Sequence, residues 1–247
     1  VYSPIMMNKI KKIYELLYSH FGPQGWWPIT SSANQQGFDS RGYHHNNFDH
    51  PASNNAMFEI FVGAILTQNT AWINVEKAIL ALKLNNVINI NEMNKLPKSR
   101  LAKLIRPAGY FNQKAVRLKC IADYLVKKYN SNLALLFEKP VDILRAELLS
   151  LKGIGPETAD SIILYAAKKP SFVVDTYTKR IFSRIGLCKK DVEYHELQAL
   201  FHQNLEKDVV LFNEYHALLV ELAKQHCTKR NPACSFCPIT KMCNKLL

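Results

Sequence analysis

Hydrophobic residues recur at helical spacing along most of this chain. Ile10, Ile13, Leu16 and Leu17 repeat at three and four residues, which predicts an amphipathic first helix. Apolar periodicity or long apolar runs predict further helices over residues 57–67, 72–82, 101–105, 115–129, 141–149, 158–167, 177–185, 195–205 and 211–225. Only residues 172–174 read as extended, and so short a segment cannot make a sheet. The pattern therefore predicts an all-α fold.

Residues 34–55 interrupt this periodicity and predict a long polar loop. The stretch holds five Asn, two Gln and three His among its 22 residues. His44, His45 and His50 have the chemistry of metal ligands, but a polar loop without a metal is the simpler interpretation. A lid over a neighbouring site is a further interpretation that the sequence leaves open.

Composition and charge narrow the classes of protein. The chain has 247 residues, 48% of them hydrophobic and 21% charged, as in globular proteins. No apolar run approaches the roughly 18 residues of a transmembrane helix, so we expect no membrane partner. Lys and Arg outnumber Asp and Glu by 32 to 20, a net charge of +12, and residues 56–247 hold all but one unit of it. This surplus favours nucleic acid, although a basic protein without such a partner has the same composition.

Four of the six cysteines crowd the C-terminus in the pattern C-x6-C-x2-C-x5-C: Cys227, Cys234, Cys237 and Cys243. Two disulfides could join them, but nothing indicates secretion, and a chain of this length does not need disulfides to stabilise its fold. Four close thiolates suit a metal centre better, and this chemistry leaves both Zn and a [4Fe–4S] cluster open. Residues 224–247 carry five basic side chains and no acidic one. This charge pattern predicts either a surface that faces DNA or a purely structural metal-bound segment whose lysines are solvated.

The run L-K-G-I-G-P-E-T-A at residues 151–159 places two glycines between two predicted helices. Glycine permits backbone conformations that aim successive N–H groups at one point, and the next helix adds its positive N-terminal end. Pro156 suits the first turn of that helix. The run predicts a helix-hairpin-helix that binds a DNA phosphate, although a plain turn between helices also uses glycines. The predicted DNA-binding residues here are Gly153, Ile154, Gly155 and Thr158.

Asp175 follows three apolar residues and precedes a predicted helix. One interpretation is an N-cap, for which Asp is well suited. The other is a catalytic carboxylate in a partly dry cleft. The two are compatible, because a carboxylate at a helix N-terminus is both a cap and a rigidly aimed charge.

The hairpin, Asp175 and the cysteine tail occur in the order and spacing of the endonuclease III-like helix-hairpin-helix DNA glycosylases, which this chain resembles from about residue 56 to residue 243. Residues 66–70, L-T-Q-N-T, resemble another motif of that family, in which Gln68 would fill the gap left by a flipped base. The resemblance implies a [4Fe–4S] cluster on the four cysteines, with Zn as the alternative. It also implies a six-helix barrel with the hairpin over residues 56–165, and a terminal helical domain of residues 1–55 and 166–247 that carries the cluster.

Trp26, Trp27 and Pro28, together with Trp72, resemble the aromatic base pocket of the 3-methyladenine DNA glycosylase III branch. An indole face attracts a purine made cationic by N-alkylation more strongly than it attracts a neutral base. The same tryptophans would also suit an ordinary hydrophobic core.

One position departs from the family pattern. Bifunctional members carry a lysine after the hairpin that forms a Schiff base with the sugar, and here that position is Glu157. A carboxylate cannot form an imine, and Lys152 lies on the other side of the glycines. We therefore expect a monofunctional DNA glycosylase of base excision repair that hydrolyses the N-glycosidic bond of a flipped N-alkylated purine. Asp175 would stabilise the oxocarbenium-like sugar and orient water.

The resemblance implies double-stranded DNA with a damaged base as the partner, a monomeric enzyme, and a bacterial cytoplasmic, nucleoid-associated location. Three alternatives stay open. The chain could be a glycosylase for a mismatched or oxidised base, with or without AP lyase activity. It could also be a non-catalytic iron–sulfur DNA-binding protein, or a nucleic-acid adaptor clipped by Zn.

Overall fold

The computed structural model describes residues 4–246, and every regular element in that range is a helix. Twelve α-helices run over Pro4–Phe21 (α1), Asn54–Leu66 (α2), Trp72–Leu84 (α3), Ile90–Lys95 (α4), Lys98–Leu104 (α5), Phe111–Tyr129 (α6), Leu133–Phe137 (α7), Val141–Ser150 (α8), Pro156–Ser161 (α9), Thr176–Ile185 (α10), Tyr194–Asn204 (α11) and Val209–Gln225 (α12). A π turn, Ile162–Ala166, continues α9, and short 3-10 turns lie at Thr30–Ser32, Arg106–Ala108, Cys234–Phe236 and Thr240–Met242. The predicted all-α fold is confirmed.

None of the helices within residues 4–246 combines the length and the apolar character that crossing a bilayer requires.

The chain forms two compact units. The central unit is Trp27–Lys169, and the terminal unit joins the chain up to Trp26 with the chain from Pro170 onwards. Residues 27–55, which the family resemblance groups with the termini, lie in the central unit. Long-range polar contacts hold them there: the amide of Ser31 donates to the carboxylate of buried Glu59 in α2 (3.1 Å), and Arg41 forms a two-pronged ion pair with Glu76 of α3.

In the central unit, α2 is the core helix. Its residues are mostly apolar, and all but three of them are buried, the carboxylate-bearing Glu59 included. Ser53 caps it by accepting a hydrogen bond from the amide of Ala56 (3.2 Å). Helices α3, α6, α7 and α9 and the π turn pack around it. The C-terminal end of α2, where the turn with Gln68 begins, is therefore supported by neighbouring helices on several sides.

In the terminal unit, α1 and α10 pack against α12. The predicted extended segment, residues 172–174, is buried and lies in no sheet within the described part of the chain. Side chains of α11 satisfy its backbone instead: His202 accepts from the amide of Phe172 (3.0 Å), and Gln198 donates to its carbonyl (2.8 Å). The ring of Phe172 stacks on that of Phe201 at 3.6 Å between centroids. These contacts fix the chain just before Asp175.

Candidate functional site

Helices α8 and α9 form a hairpin whose turn has the geometry that its glycines predict. Gly153 adopts φ +93°, a value that residues with a side chain rarely reach, and the amide of Ile154 donates to the carbonyl of Leu151 (3.1 Å). Gly155 lies at the N-cap of α9, Pro156 opens the helix, and no side chain caps it. No side chain therefore serves as the N-cap of α9, and such a helix start suits an anion.

Gln68 lies in the turn after α2 and contacts the hairpin directly. Its Nε2 donates to the carbonyl of Gly153 (2.9 Å) and to the hydroxyl of Thr158 (3.0 Å). Its Oε1 accepts from Nη1 of Arg117 in α6, whose side chain lies over Gly153. The structure thus brings together three residues predicted for DNA contact, although Gln68 and Thr158 are 90 positions apart.

A buried lysine supports the turn that carries Gln68. Lys114 of α6 is 1% exposed, and its ammonium donates to the carbonyl of Leu66 (2.7 Å), the hydroxyl of Thr70 (2.7 Å) and the carbonyl of Ala108 (2.8 Å). Burial, and to a lesser degree the nearby charge of Arg117, lower the pKa of Lys114 to about 8. This ammonium fastens the end of α2 to the turn before α6.

Two of the three tryptophans meet in the central unit. The Trp27 and Trp72 rings are edge-on at 5.4 Å between centroids, and Tyr165 of the π turn lies 5.2 Å from Trp27. Trp27 is 5% exposed and packs on Gly63 of α2, where a Cβ would come within 3.1 Å of the indole nitrogen. Pro28 is buried as well. Trp27 therefore has the surroundings of a core residue, whereas Trp72 is partly exposed.

Asp175 in the terminal unit is the N-cap of α10. Its Oδ1 accepts from the amide (2.7 Å) and the hydroxyl (2.8 Å) of Thr178, and its Oδ2 lies 3.7 Å from Nε2 of buried His216 in α12. The carboxylate is 12% exposed. Burial raises the pKa of Asp175, but the nearby imidazole of His216 and the hydrogen bonds from Thr178 outweigh burial and leave this pKa below its ordinary value. Asp175 is therefore ionised at neutral pH, with one oxygen used as a cap.

Trp26 contacts the same histidine. Its ring is edge-on to His216 at 5.8 Å, and the ammonium of Lys224 lies 5.9 Å from the indole centroid. The preceding backbone is held by α12, because the buried carboxylate of Glu214 accepts from the amide of Gln24 (2.9 Å). The indole face of Trp26 therefore already attracts a cation in the free protein.

The four clustered cysteines line one cavity next to α10 and α12. Nη1 of Arg184 lies 3.3 Å from Sγ of Cys227, and the amide of Lys245 lies 3.3 Å from Sγ of Cys243. Within residues 4–246, no group of three or more His, Cys, Asp or Glu is placed to hold a single metal ion. Four thiols around a shared cavity, with N–H donors at sulfur, suit a larger group bound through four thiolates. Burial raises the pKa of Cys237, so a positively charged group would be needed to hold that sulfur as thiolate.

Several site residues escaped the sequence interpretation. His216 lies in an apolar helix and Arg117 is one of many basic residues, so neither carries a local signal. Tyr165 reaches Trp27 from a π turn, an irregularity that often marks functional sites but has no sequence signature here. Glu157 and Lys152 are both exposed at the hairpin.

Comparisons with known proteins agree with these features. Residues 62–207 match the model of the HhH-GPD superfamily base excision DNA repair proteins. The chain is 42% identical to a candidate DNA repair glycosylase of Methanocaldococcus jannaschii over 95% of each protein. It is 32% identical to endonuclease III of Thermotoga maritima over 75% of this chain and 82% of that protein. The structure of Helicobacter pylori 3-methyladenine DNA glycosylase bound to 1,N6-ethenoadenine aligns with a TM-score of 0.66 at 27% identity, over 89% of this chain and 97% of that one.

Proposed function

Since the chain belongs to the HhH-GPD superfamily of base excision DNA repair proteins and is a DNA glycosylase, we propose that it is a monofunctional enzyme that releases N-alkylated purines from duplex DNA. The observation that carries this proposal is the ionised carboxylate of Asp175, held beside His216 at the start of α10. The alkylated substrate is supported by the similarity to the Helicobacter pylori 3-methyladenine glycosylase. Chromatography of the bases released from duplexes that each carry one lesion tests it. If only oxidised or mismatched bases were released, the substrate would be that lesion and not an N-alkylated purine.

The chemistry asked of Asp175 is electrostatic. Cleavage of the N-glycosidic bond leaves an oxocarbenium-like sugar, which a nearby carboxylate stabilises. Because Oδ1 caps α10, Oδ2 is the oxygen left to face the sugar and to orient or deprotonate the attacking water. An N-alkylated purine is already cationic and leaves as a neutral base, so it needs no strong general acid.

DNA is held by the hairpin and by Gln68. Backbone N–H groups at Gly153, Gly155 and Thr158 lie in or next to the turn and would contact phosphate without reading sequence. Ile154, whose own amide is bonded to Leu151, would support this contact by fixing the turn between the two glycines. Gln68 would fill the space that the flipped nucleotide leaves, since its turn adjoins the hairpin. The contact of Gln68 with the hairpin supports a double-stranded substrate, because only a duplex leaves a gap to fill.

We propose a [4Fe–4S] cluster on Cys227, Cys234, Cys237 and Cys243. When bound, such a cluster supplies a covalent cross-link for a chain segment that has only two short 3-10 turns of its own. Arg184 supports the segment further, because its guanidinium also donates to the carbonyl of Thr228 (2.7 Å). The cross-linked segment would hold three basic side chains close together, where they suit the DNA backbone: Lys229, Arg230 and Lys241.

The proposed monofunctional chemistry predicts base release without strand cleavage. A β-lyase needs an amine that forms a Schiff base at C1′, and Glu157 offers a carboxylate in the first turn of α9. Borohydride added during turnover should therefore leave no covalent protein–DNA adduct on a denaturing gel, while a bifunctional glycosylase run in parallel gives one. We expect weak trapping at most from Glu157→Lys, because the new amine lacks neighbours that lower its pKa. A strong adduct from the wild type, lost in Lys152→Gln, would assign the chain to the bifunctional glycosylases, such as a lyase that acts on another lesion.

The aromatic surroundings of Asp175 lead to a second prediction about the substrate. Trp26 is the one that shares a neighbour with Asp175, so we propose its indole as the face for the damaged base. Trp26→Leu should slow single-turnover release of 7-methylguanine about tenfold, as expected for a lost cation–π contact, and Trp26→Phe should slow it less. Release of a neutral lesion such as 1,N6-ethenoadenine should fall less than that of the cationic base. Equal losses for both would show that Trp26 supports the fold without recognising charge.

A further inference from the structure

Arg117 of α6 joins two elements of the proposed DNA interface in the free protein. Its side chain lies against the hairpin, where a Cβ on Gly153 would come within 2.6 Å of Arg117 Cδ. Its Nη1 donates a hydrogen bond to Oε1 of Gln68. The side chain is partly exposed, and within residues 4–246 the arginine ion pairs involve Arg41 and Arg145 rather than Arg117. A guanidinium without a carboxylate partner therefore lies at the edge of the hairpin.

Gln68 is fully engaged in this arrangement. Its amide nitrogen donates to the carbonyl of Gly153 and to the hydroxyl of Thr158, and its oxygen accepts from Arg117. Filling a gap in the duplex requires that these bonds be exchanged. The phosphate that binds the hairpin offers Arg117 an anionic acceptor, which a guanidinium prefers to a neutral carboxamide.

We propose that Arg117 is a phosphate ligand of the hairpin, and that its transfer from Gln68 to the phosphate releases Gln68 for insertion into the duplex. The inference rests on the proposed function, since it assumes that the hairpin and Gln68 bind DNA. Arg117 and buried Lys114 carry like charges close enough for Arg117 to lower the pKa of Lys114. A phosphate at Arg117 therefore also relieves this repulsion, which favours the transfer.

Salt dependence of binding tests the phosphate contact. The probe is a duplex with a tetrahydrofuran abasic analogue, which the enzyme cannot process. Arg117→Gln should weaken binding about tenfold, as for a lost charged hydrogen bond, and lower the slope of log K against log salt by about one. Arg117→Lys should restore most of the slope. Arg100→Gln is the matched control, since exposed Arg100 contacts Asn85 and not the hairpin. An unchanged slope in Arg117→Gln, with its melting temperature unchanged, overturns the proposal.

A double-mutant cycle tests the release of Gln68. If Arg117 gives up Gln68 to bind phosphate, then Gln68→Ala removes a competing partner, and Arg117→Gln should cost several-fold more affinity in that background than in the wild type. If the Arg117–Gln68 bond persists in the complex, the loss in the Gln68→Ala background is equal or smaller, and the release step is wrong.

The glycosylase function and the phosphate contact of Arg117 can be tested independently. Absence of base release by the wild type from every lesion duplex would remove the proposed function. The slope change of Arg117→Gln on undamaged duplex would still show the phosphate contact. Normal base release with no slope change would remove the role of Arg117 alone.

Discussion

Asp175→Asn should reduce base release by about 100-fold or more in single turnover, while affinity for duplex DNA stays close to that of the wild type. Asn keeps the shape of the side chain and an oxygen that can accept from the amide of Thr178, so α10 should remain capped. The substitution removes the negative charge beside the developing oxocarbenium ion. The measurement is the rate of release of 3-methyladenine or 7-methylguanine at saturating enzyme.

The chain supplies a matched control for this variant. Asp208 is the N-cap of α12 and accepts from the amide of Leu211 (2.7 Å), as Asp175 does from Thr178. Asp208→Asn makes the same chemical change at another cap of the terminal unit, so it should leave the rate of release unchanged. Near-normal release by Asp175→Asn, or an equal loss in both variants, would contradict a catalytic role for Asp175.

The same carboxylate contributes to stability in a pH-dependent way. The pKa of Asp175 in the folded protein is below its ordinary value, so its stabilising contribution is complete above about pH 4 and is lost as the pH falls through the folded pKa. Asp175→Asn has no such titration. Its free energy of unfolding in urea should therefore fall less steeply on acidification than that of the wild type.

Much of the architecture follows from periodicity in the sequence. The long helices repeat apolar residues over several turns, and each predicted segment lies largely within an observed helix, except that 158–167 is divided between α9 and the π turn that continues it. Helices α4 and α7 were missed because their six and five residues are too short to show a period. The segment 27–55 lies in the central unit, and the sequence does not indicate this because the placement depends on bonds such as that from Ser31 to Glu59, which link distant positions.

Some residues of the candidate site could be predicted from the sequence and others could not. The glycines of the hairpin and the cap at Asp175 have local signals, because backbone conformation and capping depend on neighbouring residues. The partners of these elements do not: His216 lies 41 positions after Asp175, and Arg117 meets Gln68 across 49. Such residues have no distinguishing neighbours in sequence, and only folding within each unit brings each of them to its partner.

Cys237→Ser should abolish the visible absorbance of the purified protein and its bound iron, and weaken binding to duplex DNA. Four thiolates hold a [4Fe–4S] cluster, and a serine hydroxyl is a poor replacement for one of them. Without the cross-link, the segment from Cys227 to Cys243 keeps the hydrogen bonds from Arg180 and Arg184 and the buried side chain of Ile239, but its own regular structure is limited to two 3-10 turns. The basic side chains of that segment would then no longer be held at the DNA backbone, and the loss of affinity should be clearest at low salt.

Cys188→Ser is the control for this change, because Cys188 is half-buried and lies outside the four-cysteine cavity. That variant should keep the absorbance, the iron and the DNA affinity of the wild type. Elemental analysis distinguishes the two metals directly. About four iron atoms per chain would support the cluster, whereas one zinc atom per chain would show that the cysteines bind zinc. If Cys237→Ser loses its metal but binds DNA as the wild type does, the cysteines hold a structural element that does not face the DNA. Since the basic residues and the metal ligands alternate along the same short segment, this result would also place Lys229, Arg230 and Lys241 on a solvated surface.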